Sequence, residues 1–328
     1  MRIAVLGAGA WGIALAMQLV RAGQQVNLWA HKASVAESLQ QSRRTPLLPD
    51  IELPESIHVT HDLVSALTGA QGLLIVVPSH AFNGLLQHLA QLPVGCLPPY
   101  VAWATKGFDQ DSHELLHQQV HHYLPQVSGT VISGPTFAHE VAVGLPTAIV
   151  AASDQASISD WWAKRLHHAH FRVYTNTDVT GVEVGGAMKN VMAIAAGVSD
   201  GLGFGANARA ALVARSLAEL MRLGQALGAQ ADTLMGLAGL GDLVLTCTDD
   251  QSRNRRFGMA LAQGQSVAQA EQALGTVEGL LAVRSVMAIA QQHQLDLPIV
   301  QAVHQVVTGA LSPKAAVAQL LAREPGAE

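Results

Sequence analysis

The stretch AVLGAGAWG, residues 4–12, decides the fold. A short apolar run beginning at Ile3 meets Gly7, Gly9 and Gly12 in a G-x-G-x-x-G spacing, and an apolar helical pattern continues over residues 11–22. A strand that turns through glycines into a helix is the setting in which this spacing binds a dinucleotide. Gly7 permits the tight turn, Gly9 lets the backbone approach a pyrophosphate, and Gly12 allows the helix to pack closely. The helix N-terminus then faces the anion with N–H groups that have no partner inside the helix. Trp11 stands within the turn, where its large flat side chain either packs the first helix or closes over a cofactor.

Outward from this turn, short apolar strands fall at 3–6, 25–29, 72–77, 100–105, 130–133 and 147–151. Helix-like segments such as 11–22, 80–89 and 112–124 lie between them, and HAHFRVYTN (168–176) reads as one last strand. Strands alternating with helices imply parallel pairing, hence an α/β, doubly wound sheet of Rossmann type. After about Thr180 helical patterns dominate, at 182–199, 206–227, 255–263, 267–273, 280–293 and 295–309. The expected division is a dinucleotide-binding domain over 1–178 and a mostly α-helical substrate and catalytic domain over 179–328. The tail AREPGAE (322–328) is expected to fray.

Composition narrows the function classes. The chain has 328 residues, 49% of them apolar and 13% charged, well below the typical charged share of ~25%. That pattern suits two domains with large cores. A net charge of -5 offers no basic excess for nucleic acid. Cys96 and Cys247 form no metal spacing or disulfide framework, so a reducing, cytoplasmic setting is expected. The N-terminus enters a strand directly, without the pattern of a signal peptide. Apolar runs such as 191–198 are too short for a bilayer, which needs ~20 residues, so no stable membrane insertion is expected. The HHAH run at 167–170 is better read as a helix end entering a strand than as a metal site, because no carboxylate or Cys cluster joins it.

The second strand bears on the cofactor. An acidic residue at its end would grip a ribose 2′-hydroxyl, but VNLWAHK (26–32) ends in Ala30, His31 and Lys32. Basic groups there accept a 2′-phosphate, which favours NADP(H), with NAD(H) as the second cofactor the site admits.

GGAMKNVMAIAAGVS (185–199) carries one charge, Lys189, among residues of a buried helix. A charge taken out of water is costly unless something pairs with it, so Lys189 serves either a structural carboxylate or a ligand. Four further stretches carry polar chemistry. WATKGF (103–108) puts Lys106 directly after a strand, where ligands of open α/β sheets collect. ISGPTFAHE (132–140) offers Thr136 and backbone N–H groups, GLGDLVLTCTDDQSRNRRFG (239–258) offers Asp242, Ser252, Arg253 and Asn254, and GTVEG (275–279) offers Glu278. A single Lys or Arg is usually a solvated charge; four such stretches beside a nucleotide fold are harder to read that way.

Together with GAGAWG, VVPSH, GGAMKNVMAIAAGVSDGLGFGANARAAL and GLAGLGDLVLTCT, these motifs make the chain resemble, over nearly its whole length, the NAD(P)-dependent glycerol-3-phosphate dehydrogenases of bacterial type. The resemblance implies reduction of dihydroxyacetone phosphate to sn-glycerol 3-phosphate, a supplier of phospholipid backbones, and a homodimer. It implies that Lys189 is the proton donor and acceptor, with Lys106 and Asp242 beside it in the catalytic set. Lys106, Gly134, Thr136, Lys189, Asp242, Ser252, Arg253 and Asn254 match the family's substrate contacts. Gly7, Gly9, Ala10, Trp11, Gly12, His31, Lys32, Lys106, Ala138, Arg253 and Glu278 match its cofactor contacts, and either Thr276 or Val277 takes one more. Ala10 and Ile13 stand where hydroxyl residues are common in the family; because backbone N–H groups carry most phosphate binding, the expected effect is small.

In that role, Lys189 must pass a proton to the alkoxide that forms as hydride reaches the carbonyl carbon. Apolar surroundings and a nearby Lys106 would lower its pKa, while Asp242 and the substrate's phosphate would keep it charged. On a helix, Ala193 and Ala196 share its face and would leave room for substrate. Arg253 presents a planar fork matched to phosphate oxygens. The β-hydroxyacid dehydrogenases share this plan, but they pair their lysine with an Asn four residues on, where this chain has Ala193. A redox sensor that only binds dinucleotide would have no use for Lys106, Lys189 and Asp242 together.

Overall fold

The computed structural model describes residues 1–93 and 95–323. The expected fraying of the tail concerns residues that, from 324 on, lie outside the described ones. The chain divides into two compact units. One comprises Met1–Lys106 and Leu116–Val182; the other comprises Gly107–Leu115 and the chain from Glu183 onward. A single cut at 178 would assign Gly107–Leu115 to the first unit. The structure assigns it to the second, where Phe108 and Leu115 join the hydrophobic core.

The first unit contains strands β1 (Arg2–Leu6), β2 (Gln25–Trp29), β3 (Arg44–Thr45), β4 (Leu48–Glu52), β5 (Ile57–Thr60), β6 (Gly72–Ile75), β7 (Tyr100–Trp103), β8 (Gly129–Ser133), β9 (Thr147–Ala152) and β10 (Phe171–Asn176). Its helices are α1 (Ala10–Arg21), α2 (Ala33–Ser42), α3 (Leu63–Leu67), α4 (Ser79–Ala90), α5 (Leu116–Tyr123), α6 (Ala138–Val143) and α7 (Ala156–Leu166). Eight strands form one sheet in the order β10-β9-β8-β7-β6-β1-β2-β5, and β3 and β4 form a separate ribbon. The order runs outward from β1 in both directions, so the turn after β1 occupies the switch point, where open α/β sheets bind ligands. β1 is buried from Ile3 to Leu6, as a strand covered on both faces must be.

One pairing departs from the all-parallel expectation: β8 and β9 run antiparallel. After β8 the chain turns back through the short α6 and re-enters the sheet beside β8, with Val131 opposite Ala152 and Ser133 opposite Val150. Through α7 it then crosses over, and β10 pairs parallel with β9. The helix expected over 112–124 starts only at Leu116, because the residues before it belong to the second unit.

The second unit is helical: α8 (Val179–Gly201, which begins at the end of the first unit), α9 (Ala206–Ala226), α10 (Ala231–Leu234), α11 (Asp242–Thr248), α12 (Arg253–Ala262), α13 (Val267–Leu274), α14 (Glu278–Gln292), α15 (Pro298–Val307) and α16 (Pro313–Leu321), with a π-helical turn at Leu237–Gly241. Over residues 181–194 α8 is buried around its whole circumference, Glu183, Lys189 and Asn190 included, as a helix enclosed by others must be. Its residues Val184, Met188, Val191, Met192 and Ile194 lie in the core with Phe257, Val283, Val286 and Val300.

Candidate active site

In the first unit the candidate residues gather at the strand ends. Gly7 has φ 127°, a conformation that a side chain would strain, and a Cβ there would lie 2.5 Å from Val76 O. A Cβ on Gly12 would lie 1.8 Å from Gly7 O, so the first turn of α1 packs directly on the loop that precedes it. At Gly9, by contrast, an added Cβ meets nothing within 4 Å. Gly9 is also the N-cap of α1, which has neither a side-chain cap nor an acidic residue in its first turn. This helix end is open and positive, as an incoming pyrophosphate requires. Trp11 packs partly against the core, and its Nε1 is buried without a hydrogen-bond partner among the described residues. The open cradle and the orphaned donor fit a dinucleotide.

At the end of β2, Ala30 is buried, while His31 and Lys32 are exposed with no carboxylate following the strand. His31 lies edge-on to Trp29, ring centroids 5.7 Å apart. Three strands away, after β7, Lys106 Nζ donates to Gly134 O at 3.1 Å, and Thr136 Oγ1 donates to the same oxygen at 3.2 Å. Ala138 opens α6 close behind. The loops after the neighbouring strands β7 and β8 thus bring Lys106, Gly134 and Thr136 together.

In the second unit Lys189 is 7% exposed, and Asp242, at the start of α11, is fully buried. Lys189 Nζ lies 2.5 Å from Asp242 Oδ1. A buried pair of this kind is maintained at a desolvation cost, and loss of either partner strands a charge at ~3–5 kcal/mol. Thr246 Oγ1 donates to Asp242 O at 2.6 Å and reaches Oδ1 at 3.4 Å. Thr246 belongs to no motif of its own, and only its position four residues after Asp242 on a helix marks it in the sequence.

Ser252 is the N-cap of α12, its Oγ accepting from Arg255 N at 3.2 Å. Arg253 is exposed, and its guanidinium has no protein partner among the described residues. Asn254 is buried: its Nδ2 donates to Asn190 Oδ1 at 2.9 Å and its Oδ1 accepts from Gly279 N at 2.9 Å. Asn254 therefore links α8, α12 and the start of α14. Glu278 begins α14; Val277, its N-cap, is in the core, whereas Thr276 is half-buried. Ala193 and Ala196, on the same face of α8 as Lys189, are both fully buried in the core of the second unit. Cys247 is buried as well, and burial pushes its thiol up to about 12, which leaves it inert.

Family models for the NAD-dependent glycerol-3-phosphate dehydrogenase N-terminus and C-terminus match residues 2–159 and 178–318. The chain belongs to this family. It is therefore a nicotinamide-dependent oxidoreductase. It is 50% identical to a glycerol-3-phosphate dehydrogenase [NAD(P)+] of Hydrogenovibrio crunogenus, covering 99% of this chain and 96% of the relative. It is 52% identical to another with that name from Halorhodospira halophila, covering 99% and 98%. The crystal structure of glycerol-3-phosphate dehydrogenase from Coxiella burnetii superposes with a TM-score of 0.94 at 46% identity, covering 98% of this chain and 99% of that one. Among the described residues, no helix is long and apolar enough to cross a membrane.

Proposed function

We propose that this enzyme reduces dihydroxyacetone phosphate to sn-glycerol 3-phosphate, using NADPH in preference to NADH, and thereby supplies glycerophospholipid synthesis in the cytoplasm. The observation that carries this reading is the buried Lys189–Asp242 pair, a 2.5 Å contact in an apolar helix bundle. The bound nicotinamide supplies hydride to the C2 carbonyl carbon. Lys189 Nζ gives its proton to the oxygen that becomes the C2 hydroxyl, and takes it back in the reverse direction. Asp242 holds the ammonium charged and oriented until then.

Residues 1–178 hold the dinucleotide in this proposal, and 179–328 supply the catalytic helix. Gly7, Gly9, Ala10, Trp11 and Gly12 cradle the pyrophosphate end, and His31 and Lys32 receive the 2′-phosphate. Lys106, Gly134 and Thr136 bind substrate, with Lys106 and Ala138 also meeting the cofactor. Ser252, Arg253 and Asn254 bind the substrate's phosphate; Arg253, Glu278 and Thr276 or Val277 meet the cofactor. Nothing in this scheme involves nucleic acid, and a homodimer is the proposed assembly.

The test is loss of NADPH absorbance, with NADH in parallel, after addition of dihydroxyacetone phosphate. Faster oxidation of NADPH is expected. Binding of both cofactors with oxidation of neither would overturn the activity. Lys189→Ala should reduce kcat about 10²–10⁴-fold at saturating substrate; an unchanged kcat would remove Lys189 from the proton step.

A further inference from the structure

Arg253 and Arg255 stand two positions apart on α12, about 200° around the helix. Arg253 is exposed, and Arg255 is 6% exposed. Arg255 Nε and Nη2 both donate to Asp200 Oδ2, at 2.9 and 2.7 Å, which anchors the start of α12 to the end of α8. Its Nη1 donates to Asp250 Oδ1, in the loop immediately before Ser252. Backbone packing reinforces this anchorage: a Cβ on Gly197 of α8 would lie 1.9 Å from Arg255 O. Burial alone would lower the pKa of Arg255, but hydrogen bonds and charge from Asp200 and Asp250 hold it above its ordinary value, so the clamp stays charged.

Asp200 and Asp250 would otherwise present two carboxylates near the start of α12. Arg255 engages both, and Arg209 Nε lies 3.6 Å from the second oxygen of Asp200. The helix end keeps its positive character, while Arg253, on the other side of the helix, is left to a ligand.

We propose that Arg255 is a positioning residue for phosphate recognition: by tying Asp250 and Asp200 to the start of α12, it holds Ser252, Arg253 and Asn254 in the arrangement that receives the substrate's phosphate. This rests on the assignment of those three residues to the substrate's phosphate under the proposed function. Lysine cannot reproduce the fork, because it is a point charge on a flexible stem.

The experiment compares dihydroxyacetone phosphate with unphosphorylated dihydroxyacetone in wild type, Arg255→Lys, Asp250→Ala and Arg253→Ala. Arg255→Lys should raise KM for the phosphorylated ketone about tenfold, keep kcat within about twofold, and leave activity on dihydroxyacetone unchanged. Asp250 has an 81% exposed side chain, so Asp250→Ala tests the tether without threatening the fold. It should raise the same KM about threefold. Equal losses on both ketones would mark general loosening and overturn the proposal, as would a lower KM in Asp250→Ala. Arg253→Ala separates the two readings. If it preserves the advantage of the phosphorylated ketone, the phosphate is bound elsewhere. If it alone removes that advantage, only the role of Arg255 fails.

Discussion

Two helix N-termini in this molecule meet the same electrostatic demand in opposite ways. α1 begins at Gly9 with no side-chain cap and no acidic residue in its first turn, and the space above Gly9 is open. α15 begins at Leu297, also without a cap of its own, yet Glu219 from α9 supplies one. The Glu219 carboxylate accepts from Ile299 N at 2.7 Å and Val300 N at 3.1 Å, and the residue is 2% exposed. Both ends carry N–H groups with no partner inside the helix, and a positive dipole. Where the helix serves the core, the chain fills its positive end with an internal anion. At α1 no side chain among the described residues fills that end, and the space above Gly9 suits an anionic ligand.

The comparison breaks most visibly at its filled end. Glu219→Ala would leave two buried N–H groups without partners, and the expected loss is about 3 kcal/mol, read as a shift in the denaturant midpoint. A loss below a few tenths would mean that water replaces the carboxylate at no cost.

Next in size is a pH effect. Burial raises the Glu219 pKa to about 7 from an ordinary value of 4.5, against the lowering effect of its two backbone hydrogen bonds. The native state therefore holds its proton over a range in which the unfolded chain has released it, and stability falls as pH rises from about 4.5 to about 7. The linked change is at most about 3 kcal/mol. Measured Tm against pH should show Glu219→Gln gaining on wild type across that window and running parallel above it. Parallel curves throughout would place the Glu219 pKa at its unfolded value.

At the uncapped end, Ala10→Asp would give α1 its own anion. Binding of NADPH should weaken about 10- to 100-fold through repulsion of the pyrophosphate, with folding stability unchanged or slightly raised. Undiminished affinity in a cofactor titration would show that the pyrophosphate does not use this helix end. The smallest expected effect is that of Ala10→Ser, which restores a hydroxyl common in the family. KM for NADPH should change by no more than about twofold, because the backbone already supplies the donors.

What the sequence discloses follows the range of the interactions. The glycine turn and the strands behind it are local, and GAGAWG states their backbone requirements outright. Lys189 is legible because a solitary charge in an apolar helix needs an explanation. The antiparallel β9 is not legible, because a short apolar run reads the same in either strand direction. β5 escapes notice because its four residues alternate buried and exposed, too brief a pattern to separate from a loop. α16 carries its own start signal, Ser312 followed by Pro313, and was within reach of a capping argument. Arg255 and Asp200 lie 55 residues apart, and no periodicity connects them.

The excursion Gly107–Leu115 also sets an order of events during synthesis. Phe108 and Leu115 leave the ribosome long before most of the residues of the core they join. The first unit can close its sheet around the excursion, but these two apolar side chains must wait, exposed, until the helices from α8 onward have been made. A fragment ending at 178 would carry them permanently uncovered, and one starting at 179 would lack part of its own interior. The two units are separable in architecture but not by a single cut of the gene.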